Sequence, residues 1–272
     1  MAQGIESVSI IGCGWLGYPL AKRLLASYQV HGSTTSLAKK DQLSHDGIRA
    51  NQLILEEDLS GDFTEKIFQS DLTVISIPPG RRNPDVNTWY PSAIQLILNR
   101  LRKYRDHPSI IYISSTGVYP DSFGEVTEST QPSPSRPSGQ AVLSAEKLVS
   151  DASKNWTILR LSGLAGLGRE PGRWFAGREE VEGGDTPVNM VHLDDCLNVI
   201  ELCIKKSQPG STYNVCADEH PVKKDFYTAQ ADKLGLQPAT WQRGTVPFKI
   251  VSNRAVKMAL DYNFVHPDPI HF

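Results

Sequence analysis

The chain has 272 residues, 39% of them hydrophobic, which is enough to bury the core of one large domain or of a domain with an appended lobe. Its 28 basic and 30 acidic residues give a formal net charge of -2, so we expect neither nucleic acid nor a membrane as a partner. The four cysteines form no CxxC pair, which argues against a metal site, and the amino terminus lacks a secretory pattern. These features indicate a cytoplasmic protein with a small-molecule ligand.

Short runs of β-branched residues alternate with helical patterns through the first half of the chain, as in a parallel sheet with helices on both faces. We therefore predict an α/β fold of the Rossmann type, a doubly wound parallel sheet with a small carboxy-terminal lobe. The candidate strands are residues 8–11, 29–32, 52–55, 72–77, 110–113 and 157–161. Apolar residues three or four positions apart mark two helix faces, namely Leu16, Leu20 and Leu24, and Ile94, Leu98 and Leu101.

The pattern changes in the second half of the chain. Residues 163–184 are rich in glycine and arginine and are predicted to form a loop rather than another sheet unit. Residues 188–191 and 194–205 have the pattern of one more strand and helix, and a helix after Pro221 is predicted to end at Gly235.

The same changes of pattern suggest two domains. We predict a Rossmann domain over residues 1–165, which regains about 188–205 as a further strand and helix. A small substrate-binding lobe is predicted over residues 166–187 and 206–272.

The first predicted strand runs directly into a turn of sequence GCGWLG, Gly12 to Gly17, and a helix follows. This is the G-x-G-x-x-G pattern in the strand–turn–helix context that binds a dinucleotide. Gly12 permits the tight turn, Gly14 lets the backbone approach the pyrophosphate, and Gly17 lets helix and strand pack closely. Trp15 and Leu16 belong to the same candidate site, because the helix amino terminus offers N–H groups to the phosphates. The alternative is a glycine-rich turn without a ligand.

The end of the second predicted strand bears on the choice between NAD and NADP. An NAD-binding pattern has an acidic residue about twenty positions after the glycines, but here hydroxyl residues stand in its place, followed by lysines. Such groups suit the 2′-phosphate of NADP, so the sequence favours NADP over NAD. The residues concerned are Ser33, Thr34, Thr35 and Lys39. For the lysines, the alternative is a solvated helix face.

Residues at the end of the fourth predicted strand lie where open α/β sheets place their ligands. Ile77 and Pro78 are predicted to border the cofactor. Arg81 and Arg82 follow closely and suit an anionic cofactor or substrate, and the alternative is that both side chains extend into solvent.

Several later motifs, taken with the glycine turn, resemble a known family over nearly the whole chain. They are ISSTGVYP at 113–120, LRLSGLAG at 159–166, VHLDD at 191–195 and YNV at 213–215. Together they resemble an atypical extended short-chain dehydrogenase/reductase of the NAD(P)-dependent epimerase/dehydratase-like group.

The resemblance implies that Ser115 is catalytic and orients the reacting hydroxyl or carbonyl group, and that Ser114 lies at the cofactor. In the family a Tyr-x-x-x-Lys pair delivers the proton, and its lysine lowers the pKa of the tyrosine. The present sequence departs from that pattern, because alignment puts Ser138 at the tyrosine position and Val142 at the lysine position. Lys147 lies five residues further on and is interpreted as a surface lysine.

The resemblance also indicates candidate residues for the substrate. Tyr119 and His192 are candidate substitutes for the missing acid, and the alternative for both is packing or capping. Arg169 and Arg173 lie in the loop from which extended family members reach a substrate's phosphate or sugar, with a charged surface loop as the alternative.

The resulting prediction is an NAD(P)-binding oxidoreductase or epimerase-like protein acting on a small, sugar-like or anionic substrate. The alternative is a non-catalytic dinucleotide-binding protein, a redox sensor or scaffold, because the Tyr-x-x-x-Lys pair is missing. The resemblance further implies a homodimer formed through the helices at 89–103 and 144–150.

Overall fold

The structure is a computed structural model that describes residues 4–80, 83–122, 124–206 and 208–272. Its strands in chain order are β1 (Ser7–Ile11), β2 (Gln29–Thr34), β3 (Arg49–Gln52), β4 (Ile54–Leu55), β5 (Leu59–Ser60), β6 (Leu72–Ile75), β7 (Ser109–Ser115), β8 (Gly124–Val126), β9 (Trp156–Leu161), β10 (Gly163–Ala165), β11 (Met190–His192), β12 (Ser211–Val215) and β13 (Lys249–Val251). The helices over the same residues are α1 (Gly17–Leu24), α2 (Leu37–His45), α3 (Val86–Arg102), α4 (Pro137–Ala152), α5 (Leu193–Lys206), α6 (Lys223–Lys233) and α7 (Arg254–Leu260).

Within the described residues, the main sheet has seven strands in the order β12-β9-β7-β6-β1-β2-β3. β1 pairs in parallel with β2 on one side and with β6 on the other, so that Val8 lies opposite both Val30 and Leu72. The strand order reverses direction between β1 and β6, which is the switch point at which such sheets bind ligands. The predicted Rossmann-type α/β fold is confirmed.

The predicted helix faces are buried. Leu20 and Leu24 of α1 are at most 2% exposed, and Ile94, Leu98 and Leu101 of α3 are at most 1% exposed. Gly235 has a φ of +63° just after α6, as expected for a left-handed residue that ends a helix. Among the helices that the structure describes, none is long and apolar enough to cross a membrane.

The predicted strand at 52–55 is wrong in its bounds. β3 ends at Gln52, and Ile54–Leu55 instead pairs antiparallel with Leu59–Ser60. The amide of Leu53 still donates to the carbonyl of Thr34, the last residue of β2, and the chain turns to the second pairing after this bond. Residues 52–55 therefore belong to two different strand pairings, β3 with β2 and β4 with β5, and the sequence does not show where one ends and the other begins.

The prediction of a loop throughout residues 163–184 is also partly wrong. Gly163–Ala165 forms a strand that pairs in parallel with Met190–His192, with Gly163 opposite Met190. A side chain on Gly163 would meet the Met190 sulfur at 2.6 Å, so the glycine lets the two strands approach each other. The partner lies more than twenty residues away, beyond the reach of a local pattern.

The chain divides into two compact units. The first comprises Met1–Val118, Pro134–Leu159 and Ile200–Thr212, and the second comprises Tyr119–Ser133, Arg160–Val199 and Tyr213–Phe272. The first unit contains the glycine turn. The second has an apolar cluster of Ala165, Val188, Met190 and Phe226. The domain bounds given from the sequence remain a prediction.

Candidate functional site

The glycine turn closes through hydrogen bonds between β1 and β2. The Ser33 hydroxyl accepts the Gly12 amide at 2.9 Å, and the Cys13 amide donates to the Ser33 carbonyl at 2.7 Å. Gly12 has a φ of +100°, a conformation that side chains rarely adopt. The Ser33 side chain thus holds the turn, and its predicted contact with a phosphate of the cofactor remains a prediction.

The three motif glycines differ in the space around them. A side chain on Gly17 would lie 2.2 Å from the Gly12 carbonyl oxygen, and one on Gly12 would lie 2.9 Å from Ile77 Cγ2. Gly14, in contrast, is exposed, and apart from its two chain neighbours none of the described residues has an atom within 4 Å of the place where its side chain would begin. Gly12 and Gly17 therefore shape the turn, and Gly14 leaves a bare backbone that a ligand can approach. The Leu16 side chain is buried, so any contact of Leu16 with a ligand runs through its backbone.

The thiol within the turn is not reactive at neutral pH. Cys13 is buried, and burial raises the pKa of this thiol to about 12. The protonated form therefore dominates, which excludes a thiolate nucleophile at this position.

The end of β2 carries hydroxyl and ammonium groups in the predicted region. Thr35 is exposed, Thr34 Oγ1 accepts the Ser36 amide at 3.3 Å, and the Ser36 hydroxyl accepts the Lys39 amide as the cap of α2. Lys40 pairs with Asp62, while the Lys39 ammonium lies 5.6 Å from the centre of the Tyr18 ring. Among the described residues, no carboxylate forms an ion pair with Lys39. The region therefore has one cation that its own acids do not neutralise.

The residues after β6 lie beside the glycine turn. Ile77 is the contact that restricts Gly12, its carbonyl accepts the Tyr90 hydroxyl at 2.9 Å, and Pro78 is exposed. Tyr90 is itself bonded to the hydroxyl of Tyr112 at 2.9 Å, and burial raises the pKa of both tyrosines. These two phenols are fully buried, so neither reaches a substrate as an acid. Arg81 and Arg82 lie outside the described residues.

Ser115 lies at the end of β7 and is half-buried. Its hydroxyl oxygen accepts the Gly117 amide at 3.1 Å. A hydroxyl group has one donor and two acceptor positions, so this bond leaves the Ser115 proton available for an oxygen of a ligand. The local turn at Thr116–Val118 orients the side chain.

Helix α4 is fixed against β7 by a buried pair that the sequence analysis did not single out. The Ser114 hydroxyl donates to Glu146 Oε1 at 2.5 Å, and both residues are about 5% exposed. Ser138, Val142 and Glu146 are four residues apart and share one face of α4. Ser138 is half-buried and Val142 is buried, so the face that would carry a Tyr-x-x-x-Lys pair carries a hydroxyl and an aliphatic group. Lys147 is exposed, as expected.

Tyr119, a candidate substitute for the missing acid, is buried in a polar network of the second unit. Arg160 Nη1 donates to the Tyr119 hydroxyl at 2.6 Å, and that hydroxyl donates to Asn214 Oδ1 at 2.9 Å. Burial raises the pKa of Tyr119, although the Arg160 guanidinium opposes the shift. With 1% exposure and its donor already used, the Tyr119 hydroxyl is not available to a substrate.

The two arginines predicted to contact a substrate lie on the surface of the second unit. Arg173 Nε is 2.5 Å from Glu170 Oε2 in an exposed pair, and Arg169 is exposed in a tight turn that its backbone closes with Gly166. The neighbouring Leu167 is 90% exposed. The contact of Arg169 and Arg173 with a substrate remains a prediction.

Comparison with solved structures gives the class of the fold. Over 97% of this chain and 96% of the other, it is similar to UDP-glucuronic acid 4-epimerase from Bacillus cereus in complex with UDP-glucuronic acid and NAD, with a TM-score of 0.79 and 18% identity. A short-chain dehydrogenase/reductase superfamily protein from Agrobacterium tumefaciens with bound NAD matches 95% of this chain and 92% of its own, with a TM-score of 0.76 and 16% identity. These two likenesses show that the chain has the same Rossmann-type α/β fold as these proteins.

A curated relative gives the family. The chain is 35% identical over 272 residues to Protein YeeZ of Escherichia coli strain K12, covering 98% of each chain. The chain therefore belongs to the YeeZ family. No protein-family model matches it.

Proposed function

We propose that this chain is an NADP-dependent oxidoreductase or epimerase-like enzyme that acts on a small, sugar-like or anionic substrate. The observation that carries the proposal is the bare backbone at Gly14, beside a turn that has no space for side chains at Gly12 and Gly17. A dinucleotide pyrophosphate needs such an approach, and the amino terminus of α1 directs the positive end of its helix dipole towards this turn. The two NAD-bound neighbours named above share this fold.

The preference for NADP rests on the end of β2. Thr35 is exposed there, α2 begins at Leu37, and the Lys39 ammonium has no carboxylate partner among the described residues. A ribose hydroxyl would find no carboxylate acceptor at these residues, whereas a 2′-phosphate would find a cation and the start of a helix. The residues present thus fit the phosphorylated cofactor better.

The chemistry proposed for the site divides between cofactor and protein. A bound nicotinamide supplies hydride exchange with the substrate. Ser115 supplies the hydroxyl proton that the Gly117 amide leaves unused, and it would polarise a carbonyl or hydroxyl oxygen of the substrate. Ser138 and Val142 offer no acid of suitable pKa on α4, so we propose that the proton comes from water or from the substrate itself.

A second candidate function is a non-catalytic sensor of the NADP(H) ratio. The buried Val142 favours the sensor, because an aliphatic side chain cannot hydrogen-bond to the nicotinamide ribose and cannot lower the pKa of a neighbouring acid. Ser115 favours the enzyme, because a sensor does not need an oriented hydroxyl group beside the nicotinamide.

Titration with NADPH, NADP, NADH and NAD, followed by fluorescence and calorimetry, tests the proposal. We expect NADPH and NADP to bind more tightly than NADH and NAD. We expect Gly14→Val to weaken the binding of all four cofactor forms by at least about tenfold, while its melting temperature stays close to that of the parent. If no form binds, or if Gly14→Val binds as the parent does, the proposed cofactor site is wrong.

Turnover separates enzyme from sensor. UDP-glucuronic acid and related sugar nucleotides are the first substrates to assay, with NADPH absorbance and product analysis as readouts. In the enzyme, Ser115→Ala should lower the turnover by about 100-fold or more while the NADPH affinity holds. If Ser115→Ala has the turnover of the parent, the serine has no part in the reaction.

The proposed assembly is a homodimer through α3 and α4. These two helices pack against each other in the first unit, and both have partly exposed residues along their outer sides. Sedimentation equilibrium gives the mass in solution, and a monomer at all concentrations would contradict the dimer. The cytoplasmic location remains a prediction.

A further inference from the structure

Three side chains with metal-binding atoms converge in the second unit, where β11 meets α5. Asp194 Oδ2 lies 3.4 Å from His192 Nδ1 and 3.3 Å from His266 Nε2. One ligand atom from each of the three residues lies within 4.8 Å of the other two. Two of these residues are adjacent in sequence to the start of α5, while the third comes from the segment after α7.

The cluster is held in place by a buried carboxylate beside it. Asp195 is 0% exposed and accepts the Tyr262 hydroxyl at 2.5 Å, the Val265 amide at 2.7 Å and the His266 amide at 3.0 Å. These three bonds tie the backbone of His266 to the first turn of α5, next to Asp194. The position of the distant histidine is therefore determined by the fold and does not depend on its own side-chain contacts.

The first histidine is fixed from the other side. His192 is the last residue of β11 and pairs with Ala165 of β10. Its Nδ1 accepts a hydrogen bond from the Asp194 amide at 3.3 Å, which a metal ion on the same lone pair would replace. The lone pair of Nδ1 therefore faces Asp194. The His192 and His266 rings lie 3.9 Å apart between centroids, so both imidazoles are presented to the same carboxylate.

The spacing and the ligand types fit a small divalent transition-metal ion. Bonds of about 2.0–2.1 Å in a tetrahedral site place neighbouring ligand atoms about 3.3–3.4 Å apart, which matches the two distances to Asp194 Oδ2. Two imidazoles and a carboxylate suit zinc, cobalt or nickel, whereas magnesium and calcium prefer oxygen ligands throughout. The Asp194 side chain is 55% exposed, so water or another ligand can reach the remaining position.

We propose that His192, Asp194 and His266 form a binding site for a divalent transition-metal ion, with zinc as the best match. The three residues all belong to the second unit, and none of them is among the residues proposed to bind the dinucleotide. The competing explanation is a hydrogen-bonded cluster in which the two imidazoles share one carboxylate oxygen without a metal.

Metal titration of the full chain, first treated with a chelator, distinguishes a metal-binding site from a hydrogen-bonded cluster without a metal. Zinc chloride is added in a calorimeter, and cobalt chloride is followed by its visible d–d absorption, which is intense only in four- or five-coordinate sites. We expect one equivalent of each ion to bind per chain.

Matched variants locate the binding. Asp194→Asn keeps the size of an exposed side chain and should weaken zinc binding by at least about tenfold. His266→Asn changes a side chain that is only partly buried, and it should weaken zinc binding by a similar factor. His271→Asn is the control, because it removes an exposed histidine from the same segment and should bind as the parent does. Circular dichroism verifies that each variant is folded. Absence of stoichiometric binding, or binding that Asp194→Asn and His266→Asn leave unchanged, would overturn the proposal.

Discussion

Ser114 and Glu146 form a buried hydrogen bond of 2.5 Å across 32 residues, from the end of β7 to the middle of α4. This bond fixes the register of α4 on the sheet. Ser138 and Val142 lie on the α4 face that carries Glu146, about two turns and about one turn before it, respectively. The packed helix therefore presents a hydroxyl and an aliphatic group on this face, and the absence of a catalytic Tyr-x-x-x-Lys pair stays a prediction.

Replacing Glu146 should destabilise the fold. Glu146→Ala leaves a cavity and an unpaired Ser114 hydroxyl, so we expect a loss of about 2–4 kcal/mol in the free energy of unfolding. Glu146→Gln keeps the volume and should lose about 1 kcal/mol. Urea unfolding measures both, with Lys147→Ala, the exposed neighbour, as a control that should change little. Equal stability of Glu146→Ala and Lys147→Ala would contradict the role of the pair.

Two glycines of the same motif should differ in their tolerance of alanine. Gly17→Ala places a methyl group 2.2 Å from the Gly12 carbonyl oxygen, so α1 must shift and the melting temperature should fall by several degrees. Gly14→Ala meets no atom within 4 Å and should melt as the parent does. Thermal unfolding followed by circular dichroism compares the two. A normal melting temperature for Gly17→Ala would show that the turn tolerates displacement of α1.

Lys39 and Lys40 provide a matched pair for the cofactor preference. Lys39 has no carboxylate partner among the described residues and is therefore available to a 2′-phosphate. We expect Lys39→Met to weaken the binding of NADPH by about tenfold and to leave the binding of NADH nearly unchanged. Lys40 already pairs with Asp62, and Lys40→Met should affect both cofactors little. Calorimetric titration at fixed ionic strength gives the four affinities. If Lys39→Met weakens NADPH and NADH alike, the lysine does not recognise the 2′-phosphate.

Asp71 should contribute a pH-dependent part of the stability. Burial alone would raise its pKa, but hydrogen bonds from Ser7, from the Glu6 amide and from Arg105 hold the pKa of Asp71 below its ordinary value. A carboxylate with a lowered pKa stabilises the fold above its unfolded pKa of about 4 and loses that effect as the pH falls through the folded value.

The test of this linkage is Asp71→Asn. The variant should lose about 1 kcal/mol at pH 7, and its stability should approach that of the parent as the pH falls from about 5 towards 3. Denaturant unfolding across this range supplies the curves. If stability depends on pH in the same way for parent and variant, Asp71 has the same pKa in the folded and the unfolded state.

The network around Tyr119 should be structural. Tyr119→Phe removes the hydroxyl that accepts from Arg160 and donates to Asn214, so we expect a loss of about 2 kcal/mol in stability with NADPH affinity unchanged. Tyr227→Phe is the control, because the described contacts of that tyrosine are made by its ring. A large loss of turnover in Tyr119→Phe at normal stability would instead restore the tyrosine as a candidate acid.

Local patterns in the sequence determined the fold class and the glycine turn. The alternation of strands and helices, the buried faces at Leu20 and Ile94, and the GCGWLG turn each depend on residues a few positions apart, which is the range over which backbone geometry imposes a period. The structure therefore agrees with the sequence at these places.

Only the tertiary structure decided what the polar side chains do. Ser33 bonds to Gly12 from a neighbouring strand, Tyr119 meets Asn214 across 95 residues, and His266 meets Asp194 across 72. Such contacts depend on which strands pair and on how a distant segment packs, and neither follows from a local period. The sequence indicated Ser33 and Tyr119 as ligand-binding residues, which stays a prediction, and only the fold showed that their side chains bond to Gly12 and to Asn214.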